Sequence, residues 1–425
     1  VTELLSSPST WPALAVLAAL AAVAAGVNHR LLRLSPTVGA MAVSLAASLA
    51  LAGLAAVGAD GGLLAGERAL LARVDFPALV LQGLLSLLLF AGALQVDVAA
   101  LRAQRLPVLG LAAAGTVGST ALVGGGLFLV LKALSLEVPI AHCLVFGALV
   151  SPTDPVAVLA MLRSARAPRA LEAVIAGESL FNDGVGVVLF AVLLALAQAP
   201  GATAGADALA QAAGLLLREA GGGLAAGWAL GRVLAWALAR IAHGAAACAV
   251  SLAAVLAGYA LANAAGLSGP LAVVVAGLAC APVVRAHAAR ARVERFWERV
   301  DEALNALLFV LVGMEVVALR LPAGVGAGTL AAAMAAAVAV TLAARWLTAG
   351  LPVVLAPRAF GLPPGAATLL TWGGLRGGLS LAMALALPAG VSREVLGALA
   401  YAVVAFAILV QGATFARLVR GAGRR

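Results

Sequence analysis

The sequence predicts an all-α integral membrane protein of about 13 transmembrane helices arranged as an inverted repeat, and three observations carry that reading. Hydrophobic residues make up 64% of the 425 and charged residues only 11%, which leaves too little polar surface to cover a soluble globule of this length. The apolar residues fall in repeated stretches of roughly 20, the length an α-helix needs to cross the hydrocarbon core. Two of these stretches are interrupted at mid-depth by prolines or glycines beside ionisable residues, seven spans apart, and an odd offset reverses direction as an inverted repeat requires. Backbone groups in lipid have no water to bond, so the stretches must be helices; the short alternating segments of a membrane barrel are missing from the sequence. The 48 glycines and long Ala/Leu/Val runs suit close packing through small residues, since lipid gives helices little hydrophobic reason to associate.

Apolar runs between charged or proline-bearing breaks give spans near 11–28, 35–58, 76–97, 107–134, 139–163, 171–198, 219–241, 245–267, 269–284, 303–319, 324–355, 364–388 and 393–419. No cleavable signal peptide is expected, because the first apolar stretch leads into further membrane segments and reads as a retained helix. Cys143, Cys248 and Cys280 lie inside apolar segments at wide spacing, the pattern of small packing residues and not of disulfides or metal ligands. No cofactor is expected.

The net charge of +9 reports topology, not a nucleic-acid partner. With the first loop placed in the cytoplasm, 18 of the 27 basic residues fall on that side, among them Arg30, Arg102, Arg163, Arg240, Arg285 and Arg417. Arg68, Arg73, Lys132, Arg218, Arg320 and Arg393 fall on the other, and Arg232, Arg345 and Arg376 lie within spans. This asymmetry puts the N-terminus outside and the C-terminus in the cytoplasm of a bacterial inner membrane, which an odd number of spans requires. The segment from Arg285 to Glu302 mixes both charge signs at helical spacing and is expected as an amphipathic linker helix on the cytoplasmic surface.

A charge at mid-membrane costs roughly 2.5–3.5 kcal/mol on insertion scales, so each one needs a partner or a purpose. Asp154, Glu178, Asp183, Arg345 and Arg376 stand there; Glu315 and Arg232 fall near span ends, where a long side chain reaches the interface. Around Asp154 the sequence reads Ser151-Pro152-Thr153-Asp154-Pro155. The two prolines lack backbone donors and free the carbonyls of Ala148 and Ser151, so the helix should break. A break at this depth supplies half-helix ends and loose carbonyls beside a carboxylate, the way several transporter folds build a cation site. In the sixth span Ser179 and Asp183 share one helical stripe and Glu178 and Asn182 the next, so the two acids need not do the same work. The twelfth span holds Gly373-Gly374-Leu375-Arg376-Gly377-Gly378, a second expected break, with Arg376 placed to neutralise the facing half-helix C-terminal ends. Arg345 has no acid nearby in sequence, and Glu178 is its best partner on another helix. His29, His142, His243 and His287 lie at or near loops and read as surface residues.

At SPTDPVAV (151–158), GESLFNDG (177–184), FWERVDEALNALLFVLVG (296–313) and GGLRGGLSLAMALALP (373–388) the chain resembles the monovalent cation/proton antiporters of the NhaP-like and animal sodium/proton exchanger branch. That resemblance implies six spans on each side of a linking span, a crossed pair of broken helices at the fifth and twelfth spans, and a homodimer. It implies a division into residues 1–106 (spans 1–3, dimer scaffold), 107–198 (spans 4–6, transport core), 199–323 (spans 7–10 with the linker helix, scaffold) and 324–425 (spans 11–13, core). Carried over by motif, Asp154 and Asp183 are the cation and proton carboxylates, with Thr153 and Ser179 adding oxygen ligands for Na⁺. Glu178, Asn182, Arg345, Arg376 and Pro155 support them. The Asn182-Asp183 pair resembles that of electroneutral exchangers and implies one Na⁺ or Li⁺ for one H⁺, in the service of pH homeostasis. The long cytoplasmic tail of many relatives is expected to be missing after Arg425.

Competition for one site is the expected coupling: a buried carboxylate favours its proton, a bound cation displaces it, and a site poised between the two trades one for the other. Potassium is the alternative ion, since it too favours oxygen ligands. An intramembrane aspartyl protease also needs two membrane aspartates, but the chain has no Gly-x-Gly-Asp motif and proteolysis leaves the paired breaks and Arg345 without a purpose. A cation channel built on four symmetric filter loops is likewise not visible in the sequence.

Overall fold

The structure is a computed structural model that describes residues 10–73, 75–165, 167–198, 206–287, 290–319, 322, 324–389 and 392–422. Arg166, Arg320, Arg424 and Arg425, counted above for topology, lie outside the described residues. Among the described residues there is helix and no strand. The principal helices are α1 (Pro12–Leu32), α2 (Pro36–Ala56), α3 (Phe76–Gln95), α4 (Arg105–Ala133), α5 (Ile140–Val150), α6 (Val156–Ser164), α7 (Arg169–Gln198), α8 (Ala206–Leu238), α9 (Gly244–Ala264), α10 (Gly269–Ala286) and α11 (Arg290–Met314). They continue with α12 (Ala327–Leu355), α13 (Ala366–Trp372), α14 (Gly378–Leu385) and α15 (Arg393–Arg420). Nine of the described helices, α1–α4, α7, α9, α10, α12 and α15, are long and apolar enough to cross a membrane.

Proline and glycine decide where the chain departs from this pattern. Between α5 and α6 the non-helical stretch is Ser151–Pro155, and between α13 and α14 it is Gly373–Gly377. Both interruptions fall where the missing proline N–H groups and the glycine-rich composition weaken the helix. Ser268 caps α10 through its hydroxyl, which accepts from the Leu271 amide at 3.3 Å.

The helices pack in two groups. In one, α8 lies against α10, α10 against α3, and α11 against α2 and α3. In the other, α4 lies against α5 and α12, α5 against α7, and α15 against α12 and α14. The groups meet where α7 touches α8 and α10 and where α14 touches α3 and α11. Close approach depends on small residues: a Cβ at Gly147 of α5 would run into the backbone carbonyl of Thr120 on α4, and one at Gly124 would come 2.8 Å from the Cα of Leu144. The three cysteines are free and buried among these helices, as packing residues should be.

Three sequence expectations change. The amphipathic segment is not a separate surface helix: α11 runs unbroken from Arg290 to Met314, because no proline or glycine intervenes before Gly313. Its first half exposes the Arg290–Glu294 and Arg299–Glu302 pairs while burying Val293 and Trp297. Glu315 does not reach outward. It begins a 3₁₀ turn at the end of α11, is 7% exposed, and faces two cavities that Leu385 and Arg393 also line. Two of the histidines are also more than surface residues, since His142 Nδ1 bonds the Ser392 hydroxyl at 3.0 Å and His287 Nε2 bonds the Ile241 carbonyl.

The contact between α4 and α5 can be tested by volume. Gly147→Val should destabilise the protein by about 1–3 kcal/mol, the usual cost of overpacking a tight contact. Gly125→Ala, beside Gly124 on α4 and with nothing within 4 Å of the added carbon, should leave the melting temperature in detergent unchanged or raised. Equal melting temperatures for the two variants would contradict the close approach.

Candidate functional site

The site is organised by the first half of α7. Glu178, Ser179, Asn182 and Asp183 project from two adjacent stripes of this helix, and each stripe meets a different partner. Glu178 is 1% exposed and takes both terminal nitrogens of Arg345 in a bidentate pair, 2.7 Å for each bond. The Nε of the same arginine donates to the Leu370 carbonyl at 3.2 Å. One ion pair therefore ties α7 to α12 and α13. Bidentate geometry gives this pair strength and direction, and the closeness of Gly374, where a Cβ would press on the guanidinium, shows how little room is left around it.

Asn182 carries that order to the first break. Its amide nitrogen donates to Glu178 Oε1 and to Thr153 Oγ1, each at 2.8 Å, and its oxygen accepts from the Thr153 backbone amide at 3.2 Å. Thr153 Oγ1 also lies 2.9 Å from the Ser179 hydroxyl. The non-helical stretch Ser151–Pro155 is thus pinned from α7 by side chains, since it has lost helical bonds of its own.

The second break satisfies what remains. The amide of Asp154 donates to the Leu375 carbonyl at 2.8 Å, so the two interrupted segments lie against each other. Arg376, 2% exposed, donates through Nη1 to the carbonyls of Ser151 and, at 3.0 Å, of Pro152. The arginine therefore lies just past the carbonyl end of α5, where the helix dipole leaves partial negative charge. The carbonyl of Ser151 is freed as expected, whereas that of Ala148 still takes a long 3.4 Å bond from the Ser151 amide.

The carboxylates of Asp154 and Asp183 both line one cavity of about 240 Å³, together with Thr153, Pro155 and Ser380. One oxygen of Asp154 accepts from the Val156 amide at 2.9 Å. A Cβ at Gly377 would come 2.7 Å from the other, so glycine there lets the second break approach the carboxylate. Ser179 and Asn182 stand behind Thr153 and do not line the cavity. Sequence reasoning missed Gln95, Arg163, Asp301, Asn305 and Ser380, all of which do. For Asp301 and Asn305 a signal was present: they stand four apart in the 296–313 motif, on one face of a helix.

Cutting the buried pair should be costly. Glu178→Gln strands Arg345 and should lower stability by about 3–5 kcal/mol, and Glu178→Leu with Arg345→Leu should cost clearly less than the two single leucine variants summed. Thermal melts of the purified variants in detergent check this; additive losses would mean that the two side chains do not depend on each other.

Comparison with known proteins gives this arrangement a family. The family described as sodium/hydrogen exchanger, transmembrane, matches residues 15–421. The Na⁺/H⁺ antiporter NhaP of Pseudomonas aeruginosa is 40% identical over 405 residues, covering 93% of this chain and 92% of that one. The Na⁺/H⁺ antiporter NhaH of Halobacillus dabanensis is 31% identical, covering 84% and 86%. Among solved structures, the sodium proton antiporter MjNhaP1 from Methanocaldococcus jannaschii at pH 8 superposes with a TM-score of 0.70 at 18% identity, over 96% of this chain and 97% of that one. The match in sequence along nearly the whole chain, on a helical fold with the same course, makes this protein a member of the sodium/hydrogen exchanger family.

Proposed function

We propose that this protein exchanges Na⁺ or Li⁺ for H⁺ across a bacterial inner membrane, one for one, with cation and proton competing for Asp154 and Asp183. The observation that carries the proposal is that these two carboxylates share a cavity at the meeting point of two interrupted helices, while Glu178 beside them is neutralised by Arg345. Asp154 and Asp183 supply the negative oxygens a hard cation favours, and Thr153 adds a hydroxyl at the cavity wall. Ser179 acts through its hydrogen bond to Thr153. Asn182 is engaged with both Glu178 and Thr153 and brings no charge. A site holding one Na⁺ or one proton then has the same net charge, which favours electroneutral exchange. The family to which the chain belongs transports ions and does not catalyse a reaction.

Glu178, Arg345, Asn182, Arg376 and Pro155 are the supporting residues in this reading. The helices around the site, α4–α7 and α12–α15, form the moving core, and α1–α3 with α8–α11 form the scaffold through which two copies pair as a homodimer. The two packing groups support that division. The basic residues Arg163, Arg285, Arg290 and Arg417 mark the cytoplasmic face, with the N-terminus outside, by the positive-inside rule. Exchange of this kind serves pH homeostasis.

Proteoliposomes with a pH-sensitive dye and an imposed proton gradient test the proposal. Na⁺ or Li⁺ should collapse the gradient in wild type and not in Asp154→Asn or Asp183→Asn, and Thr153→Val should raise the Na⁺ concentration needed for half-maximal exchange. Collapse by K⁺ alone would reassign the ion within the same fold. Cation flux with no movement of protons would refute exchange and favour a channel.

A further inference from the structure

The 296–313 segment forms most of α11, and two of its polar side chains, Asp301 and Asn305, line the same cavity as Asp154 and Asp183. Asp301 is fixed in place: the Asn305 amide donates to its carboxylate at 3.0 Å and to its backbone carbonyl at 2.9 Å. Gln95, at the end of α3, lines the same cavity and accepts from Arg163 of α6 at 3.4 Å. Among the described residues no three acidic, histidine or cysteine side chains stand close enough to hold one metal ion. Asp301 is therefore not a third ligand beside Asp154 and Asp183. It lines the cavity from α11, a helix that packs with α2 and α3.

We propose that Asp301 is an entry residue for the transported cation: its carboxylate, held by Asn305 at the cavity it shares with Asp154, concentrates monovalent cations at the mouth of the site from the Arg163 side. The inference rests on the exchange function proposed above. A unit charge in a cleft with apolar walls raises the local counter-ion concentration, and the walls here are Val80, Leu85, Leu88, Leu89 and Leu159. Held by Asn305, the side chain gives up no rotamer freedom when an ion passes. Arg163 is exposed and its guanidinium bonds Gln95, and no ion pair to Asp301 is formed among the described residues, so the negative charge is left to act on the cavity. Because Asp301 and Asp154 sit on different packing groups, the attraction is felt in the state in which the cavity opens toward Arg163.

The test uses antiporter-deficient cells expressing the full chain, as everted and right-side-out membrane vesicles, with Na⁺-dependent dequenching of a pH dye. In everted vesicles at low ionic strength, Asp301→Asn should raise the apparent KM for Na⁺ about threefold to tenfold with Vmax within about twofold of wild type. The rise should shrink when choline chloride shortens the Debye length to about 8 Å or less. Asp301→Glu should restore the KM, and right-side-out vesicles should show no change in it. An unchanged KM in active Asp301→Asn vesicles, or a loss of Vmax alone, would overturn the role of Asp301 and leave exchange standing. A wild type that does not respond to any cation would overturn both.

Discussion

Two opposite charges at membrane depth hold this structure in register. Glu178 and Arg345 are almost fully enclosed, and neither is tolerable there alone, because an unpaired ion in hydrocarbon-like surroundings keeps most of its desolvation cost. Their bidentate contact fixes the rotation of α7 relative to α12, and through Leu370 it fixes α13. Asn182 then transmits the position of Glu178 to Thr153. The geometry around Asp154 is thus inherited from an ion pair that does not line its cavity.

The same economy governs the two interruptions. A broken helix inside a bilayer exposes amides and carbonyls that lipid cannot satisfy. Here each break answers the other: the Asp154 amide meets the Leu375 carbonyl, and Arg376 covers the carbonyls of Ser151 and Pro152. Either break by itself would leave buried polar groups unpaired. Together they leave one kind of group without a buried counter-charge in contact, the carboxylates of Asp154 and Asp183, and that is the property a site for exchangeable cations needs. Gly374 and Gly377 permit the approach, since a side chain at either would displace Arg345 or Asp154.

Cavities lie at both ends of one short helix. α14 has eight residues; its first turn, with Gly378–Ser380, borders the cavity of Asp154 and Asp183, and its last, with Ala384 and Leu385, borders the cavities around Glu315 and Arg393. At 1.5 Å per residue that is roughly 12 Å of helix between the two sides. It also lies where the two packing groups meet, against α3 and α11.

Much of this was legible in the sequence. Proline and glycine placement announced both breaks, because these residues change backbone bonding wherever they occur. Helical spacing separated the Glu178 stripe from the Asp183 stripe, and the lone charge of Arg345 called for a partner on another helix. Local rules did less well where the answer depends on what surrounds a residue. The inward turn of Glu315 and the bond from His142 to Ser392 are set by neighbours up to 250 positions away. Asp301 and Gln95 show the limit most clearly: each is an ordinary polar residue near the end of an apolar run, and only the packing of α11 and α3 against each other and against α14 brings them to one cavity. The sequence by itself determined which residues had to be buried and paired, because the cost of a charge or a bare carbonyl in lipid is a property of the group. The tertiary structure decided which groups meet, because distance between helices is fixed by packing and not by position in the chain.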